Sequence, residues 1–453
     1  MARVGENQLP QAHHLLLFPC PFQGHLNPML QLATLLHSKG FSITIVHTQF
    51  NSPNPSNFSN FHFEIIPDGL SDGLHPMDIL SIINVNCAAP FRAVLARMLS
   101  DNRRGPITCV ITDDVLSFTQ SITDSLKVPR IVLVTCNATS YVTISSIPML
   151  HQKGYYPIED PNSEVPVPEI PPLRVKDLPV PPPSTVGTFL QLIVRQISAT
   201  RASSGLIFNA LDCLEQTTLS KIQQEFRIPV FPIGPLYKFA AGHSGSSSLL
   251  SPDHSCMAWL AKQAPKSVIY VSFGSIAAID GPDLLEMAWG LANSGQPFLW
   301  VVRPGFVNGS ECAAELPEGF EEETRDRGLV VKWAPQQEVL SHPSVGGFWT
   351  HGGWNSTLES VCEGVPMLCW PCFMDQAGNA RLVSHVWRVG MTLENGLERC
   401  EIDWAIRRLM VGNEGKEMRE RIKDLKENVD RSIRKGGSSH QSLDALIDLI
   451  SSF

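Results

Sequence analysis

Short leucine-rich or β-branched runs alternate with amphipathic stretches along this chain, and that cadence limits the possible folds more than any figure of composition. "HHLLLFPCP" reads as a buried strand, "NPMLQLATLLHSKG" as the helix after it, and "FSITIVHT" as a second strand. Pro28 lies near the start of that helix and Gly40 at its end, the usual asymmetry of helix termini. A strand, a helix and a strand in that order imply parallel pairing through a right-handed crossover. "ITCVITDD", "PRIVLVTC" and "SSGLIFNA" continue the series. It restarts after Asp253, where "SVIYVSFGS", "PFLWVV", "GLVVKWA", "VGGFWT" and "VPMLCWP" read as strands, with helical stretches between several of them. Two successive series predict an α/β chain of two doubly wound domains. Ligands of such folds sit at the carboxyl ends of strands, so the cleft between the domains is the expected site.

The length of 453 residues suits two domains. "GHSGSSSLLSPD" (242–253) is small, polar and nearly uncharged, as a linker should be. The expected division is 1–241, a linker at 242–253, 254–430, and a terminal helix within 431–453. From about Leu150 to Pro183 the chain is proline-rich and poorly periodic, the mark of a long surface excursion that shapes a binding site. A net charge of −9 argues against nucleic acid or an anionic membrane as partner. The N-terminus lacks the shape of a signal peptide and no run approaches the ~20 apolar residues of a membrane span. Of eleven cysteines, Cys20, Cys109, Cys136, Cys362 and Cys369 lie in or beside apolar runs and read as buried thiols in a reduced compartment. Cytoplasmic placement is the expectation.

"THGGWNSTLES" (350–360) follows one of these strands and opens a helix closed by Gly364. Ser356 and Glu359 have capping-box spacing. The N–H groups of a helix start form an anion site. Gly352 and Gly353 allow a ligand close to the backbone, and His351 and Asn355 add donors. Upstream, Trp333 stands at a strand end where an indole can stack on a flat ring. Downstream, Asp375 and Gln376 follow another strand end, placed to hold hydroxyls. An aromatic plate, an anion-binding helix start and a polyol clamp together suit a nucleotide sugar.

Residues 333–376, 44 positions, closely resemble the signature box of plant UDP-dependent glycosyltransferases. "FPCPFQGHLNPMLQLATLLHSKGFSITIVHT", "GPLY" and "VIYVSFGS" extend the resemblance over nearly the whole chain. "FQGHLNP" and "KGGSSHQSLDALIDLI" look most like the subgroup of cytokinin, steviol-glycoside and benzoxazinone glucosyltransferases. The resemblance implies the GT-B fold, two Rossmann-like domains facing across a cleft, and inverting transfer of glucose from UDP-glucose to a small lipophilic acceptor. The first domain would bind the acceptor and the second the UDP-sugar, with the terminal helix crossing back to the first. It implies that Trp333 stacks on uracil, that the Ala334 backbone reads its edge, and that Gln336 and Glu359 hold the ribose. His351, Gly353, Asn355 and Ser356 would meet the phosphates with Ser275 of "SFGS", and Trp354, Asp375 and Gln376 the sugar hydroxyls. Gln376 resembles the usual choice of glucose users. The chain has "HGGWNS" where many members have "HCGWNS", a change that leaves the backbone cradle intact.

Transfer to a hydroxyl requires a base. His25 of "PFQGHLNP" ends the first strand; a polar surface role is the other reading of such a residue, and the resemblance assigns it as the base. "CVITDD" offers Asp113 and Asp114 as carboxylate partners. The resemblance favours Asp113, and Asp114 reads as a helix N-cap. No Asp-x-Asp occurs, so no metal and no cofactor beyond the co-substrate UDP-glucose is expected. The acceptor would meet 77–91, 135–146 and 185–193, through Ile83, Asn137 and Leu190, with Phe22 and Phe373 as floor. A monomer is expected. A dinucleotide dehydrogenase shares the architecture but needs Gly-x-Gly-x-x-Gly after the first strand, which "PCPFQGHLNP" does not supply. A non-catalytic nucleotide-sugar binder and a C- or N-glucosyltransferase remain open on sequence alone.

Overall fold

Leu15, Leu16, Leu17 and Phe18 are all fully buried, which a strand achieves only when both of its faces are covered. The computed structural model, which describes residues 13–71, 73–101, 105–181, 185–240, 248–309, 315–394 and 396–453, shows how this is done. Leu15 and Leu17 pack on one face with Ile43, Ile45, Cys109 and Ile111. Leu16 and Phe18 pack on the other with Val46, Val110 and Phe91.

The strands of the first sheet are β1 His14–Phe18, β2 Ser42–Thr48, β3 His62–Ile66, β4 Ile107–Asp113, β5 Arg130–Val134, β6 Gly205–Phe208 and β7 Val230–Pro232. All pair in parallel, in the order β3-β2-β1-β4-β5-β6-β7. The second sheet holds β8 Val268–Ser272, β9 Phe298–Val301, β10 Gly328–Val331, β11 Val345–Thr350, β12 Met367–Cys369 and β13 Gly390–Thr392. It is also parallel throughout, in the order β10-β9-β8-β11-β12-β13. Each sheet therefore reverses its strand order once, between β1 and β4 and between β8 and β11. In open α/β sheets such a switch point splays the flanking loops apart and leaves a crevice for ligand.

The chain divides into two compact units, residues 1–138, 187–249 and 435–453 in one, and 139–186 and 250–434 in the other. This departs from a boundary at 241, because residues 139–186 join the second unit. Charge explains part of that attachment: Lys176 Nζ lies 3.0 Å from Glu394 Oε2, and Arg381 Nε donates to the Pro172 carbonyl at 3.3 Å. Of the expected linker, residues 242–247 lie outside the described residues, as do residues 1–12 of the N-terminus. The last helix, Ser438–Ser451, belongs to the first unit, where Leu443, Leu446 and Ile450 enter the core with Leu15 and Leu17.

The first helix differs from its expected start. It runs Gln23–Ser38, with Phe22 in extended conformation as its N-cap, so Pro28 stands inside it and His25 falls in the first turn. No single helix among the described residues is long and apolar enough to cross a membrane.

Candidate active site

At the first switch point, β1 leads through "PCPF" into the helix Gln23–Ser38, while its neighbour β4 ends at Asp113. The parallel register that sets Phe18 beside Thr112 brings both carboxyl ends to one edge. There the His25 Nδ1–H donates to Asp113 Oδ2 at 2.8 Å. Asp113 is fully buried, and its other oxygen accepts from the Val115 amide at 3.3 Å. A carboxylate held this way fixes the imidazole tautomer, leaving Nε2 as the basic nitrogen, and stabilises the imidazolium that forms when Nε2 takes a proton. Thr135, one residue past β5, is placed by the sequence only within the acceptor stretch 135–146; its hydroxyl lies 3.0 Å from the same Nδ1. No spacing signal links residues so far apart along the chain.

Asp114 is not a helix cap. It is buried, accepts a hydrogen bond from the Gln196 amide, and its carboxyl is pushed up by burial and by the neighbouring Asp113 charge. The two adjacent acids are thus separated by environment: Asp113 touches the imidazole, and Asp114 is driven toward its neutral form.

At the second switch point, β8 runs into the loop carrying a half-buried Ser275 and β11 into "HGGW". The register sets Thr350 beside Ser272. Gly352 turns the chain at φ +78°, a conformation that favours glycine. A side chain at Gly353 would place its Cβ 2.5 Å from His351 Nε2, so this glycine is what admits the ring. Burial, and secondarily the Arg303 charge, push the His351 imidazole down to about 4. It is therefore neutral near pH 7 and offers one N–H donor.

The helix runs Trp354–Glu363 with Gly353 as N-cap and no side chain capping it. The capping box expected from Ser356 and Glu359 is absent, because Ser356 is the third helical residue rather than the cap. Both side chains turn instead to the helix Gln336–Ser341. Gln336 Nε2 donates to Ser356 Oγ at 2.9 Å and to Glu359 Oε2 at 2.7 Å, and Gln337 Nε2 donates to Glu359 Oε1 at 2.8 Å. Asn355 occupies the second position of the uncapped end. An N-terminus of this kind is suited to an anion.

Trp333 is half-buried two residues beyond β10, with Ala334 buried beside it. Trp354 is buried against the Trp387 ring, 6.4 Å away. Gln376 opens the helix Gln376–Arg381, and its Oε1 accepts from the Cys372 and Phe373 amides at 2.8 and 3.1 Å, which fixes the amide orientation. Asn379, unmarked by sequence reasoning, ties this end to the glycine turn. Its Nδ2 donates to the Gly352 carbonyl and to Asp375 Oδ2, each at 2.9 Å. Cys369 and Cys372 have the spacing of a redox motif, but both are free thiols that burial pushes up to about 12, away from the reactive thiolate.

The residues expected at the acceptor separate. Phe22 is buried near His25, their rings 6.2 Å apart, Leu190 is half-buried, and Phe373 is 40% exposed. Ile83 and Asn137 have no exposed surface, and Ile83 packs in the core with Phe18 and Phe91. The helical period that placed Ile83 among candidates is the period of a core face.

Residues 209–429 match the UDP-glucoronosyl and UDP-glucosyl transferase family. Over 442 residues the chain is 48% identical to UDP-glycosyltransferase 76B1 of Arabidopsis thaliana, covering 97% of this chain and 98% of that protein. The chain belongs to the plant UDP-glycosyltransferase family. This glycosyltransferase is also 42% identical over 460 residues to the flavonol 3-O-glucosyltransferase UGT76E12 of the same plant, covering 99% of each. Its GT-B fold is shared with UGT2 of Phytolacca americana, solved with UDP-2-fluoro-glucose and pterostilbene. That comparison gives a TM-score of 0.83 at 28% identity, over 97% of this chain and 100% of that one. A plant UDP-glycosyltransferase moves a sugar from a UDP-sugar donor, which is a co-substrate. Among the described residues no three His, Cys, Asp or Glu side chains gather as a metal site.

Proposed function

We propose that this glycosyltransferase transfers glucose from UDP-glucose to a hydroxyl of a small, flat, lipophilic metabolite with inversion, giving a β-glucoside. The observation that carries the reading is the buried Asp113 bonded to His25 at the carboxyl edge of the first sheet. His25 Nε2 takes the acceptor proton as the oxygen attacks the anomeric carbon, and Asp113 stabilises the imidazolium. The bond to the UDP oxygen breaks on the opposite face, so configuration changes from α to β. Neutral His351, Asn355, Ser356, Ser275 and the Gly353 backbone meet the charge that grows on the leaving diphosphate. Trp333 and Ala334 take uracil, Gln336 and Glu359 the ribose, and Trp354, Asp375 and Gln376 the glucose hydroxyls.

Glucose as the sugar is supported by the donor analogue bound to the Phytolacca relative and by the glucosyltransferase activity for which the flavonol relative is named. A flat phenolic acceptor suits the same two relatives and the apolar Phe22 beside His25. The enzyme acts as a monomer in the cytoplasm. The test is turnover with UDP-glucose, UDP-galactose and UDP-xylose against flavonols, stilbenes, terpenoid glycosides and cytokinins, with products identified by mass. Glucose transfer to one of these classes, at a rate well above that of the other sugars, is expected. Binding of UDP-glucose with no glucosylated product from any class would overturn the proposal.

A further inference from the structure

Arg303 lies two residues past β9, at the edge where β8 and β11 also end. It is 7% exposed, yet its guanidinium bonds only to backbone carbonyls. Nε donates to Gly274 at 3.1 Å, Nη1 to Pro304 at 3.0 Å and Nη2 to Ala277 at 2.6 Å. Among the described residues no acidic side chain forms an ion pair with it, and burial is the one influence on its pKa, pulling it down with no acid opposing. A guanidinium stays charged in proteins, and burying a charge without a counter-charge is costly.

Two of its carbonyl partners bracket Ser275, so Arg303 shapes the loop between Gly274 and Ala277. That loop in turn supports the glycine turn: a Cβ on Gly274 would lie 2.9 Å from the His351 ring. The charge also reaches this ring, since Arg303 contributes to holding its basicity down. The side chain thus connects, mechanically and electrostatically, to Ser275 and His351, which the proposed function places on the diphosphate.

We propose that Arg303 is a positioning residue of the donor site, a buried cation whose missing counter-charge is supplied by the diphosphate of the nucleotide, met through the 274–277 loop and His351. The inference rests on the reading that the turn after β11 holds that diphosphate. It predicts that the enzyme binds a nucleoside diphosphate more tightly than its nucleoside.

The test is calorimetric titration of the full chain with UDP and with uridine, for the native protein, Arg303→Gln, Arg303→Lys and Asn355→Ala, with thermal melts to check folding. The ratio of UDP to uridine affinity should fall by about tenfold or more in Arg303→Gln, because a charge partner is lost, while uridine binding stays within about twofold. Arg303→Lys, which keeps the charge, should hold the ratio within about threefold of native. Parallel weakening of both ligands, or an unchanged ratio, in Arg303→Gln would overturn the inference and leave Arg303 a loop clamp. Should Arg303→Gln not fold, Arg303→Lys decides: a ratio within about threefold sustains the inference, and a larger fall overturns it. Asn355→Ala separates the two levels. If it leaves UDP affinity unchanged, the donor reading fails and takes this inference with it. If it weakens UDP while Arg303→Gln leaves the ratio intact, the Arg303 inference alone fails.

Discussion

One nitrogen of His25 is committed to Asp113, and that commitment decides what the two adjacent acids do. Asp113→Asn reverses the hydrogen bond and favours the wrong tautomer, so kcat should fall by about a hundredfold or more with little change in KM for the donor. Asp114→Asn replaces a carboxyl already driven toward its neutral form and should keep at least about half the native kcat at pH 7. Steady-state kinetics on both variants check the pair, and an equal loss in the two would contradict the assignment. His25 was legible in the sequence as a polar residue between a strand and a helix, and "DD" as a strand end. Which acid faces the ring was not legible from the strand pattern, since neighbouring residues on a strand differ only in the side they face, and the family resemblance alone favoured Asp113. The contact of Thr135 with His25 and that of Asn379 with Gly352 were invisible for another reason: these partners lie far off in the chain and are brought together by the fold, not by spacing.

His351 sets a pH dependence. Its folded value, about 4, lies below the ordinary 6.5 of a free imidazole. Between those values the unfolded chain binds more protons than the native one, so stability rises with pH across the window and is lost as pH falls from 6.5 through 4. Thermal melts should show Tm falling over that interval, and His351→Gln should make the fall shallower. An unaltered slope would mean that the ring is not the group responsible.

At the scale of elements, the turn after β11 shows how a motif is recognised and its local mechanics misread. Ser356 and Glu359 have the spacing of a capping box, yet Gly353 caps the helix and both side chains serve the neighbouring helix Gln336–Ser341. Sequence spacing cannot see a helix packed alongside. The glycine turn itself was legible, and its close approach to His351 makes a demand: Gly353→Ala should raise KM for the UDP-sugar by about tenfold or more, because the ring must move from its place. An unchanged KM would show that the turn tolerates the displacement. The terminal helix makes a second demand. Leu446 is fully buried in the core of the first unit, so Leu446→Ala should cost about 2–5 kcal/mol in denaturant unfolding, with the loss reading on stability and not on donor binding. Leu443, Leu446 and Ile450, at i, i+3 and i+7, form one apolar helical face, and the fold shows which strands it covers.

For the whole molecule, alternating strands and helices were enough to give two parallel sheets, because parallel pairing requires crossovers and crossovers require intervening helices. They were not enough to divide the chain. The stretch from about Leu150 to Pro183 lacks strong periodicity, and contacts such as those of Lys176 with Glu394, Arg381 with Pro172 and Ser140 with Asn379 show which unit holds residues 139–186. On the proposed reading the two switch points carry the chemistry, with His25 as base beside β1 and β4 and the diphosphate beside β8 and β11. Diphosphate charge met by backbone, side-chain donors and a buried guanidinium also predicts that a chelator leaves the initial rate unchanged. Loss of activity in chelator that is restored by a divalent ion would contradict this.

The most direct measurement is proton NMR of the product formed from UDP-glucose and an accepted flavonol or stilbene, run beside His25→Ala. A β-glucoside, seen as a large anomeric coupling, is expected from the native enzyme, with a loss of about a thousandfold or more in the variant. An α-glucoside, or a His25→Ala enzyme that retains most of its rate, would contradict inverting transfer with His25 as its base.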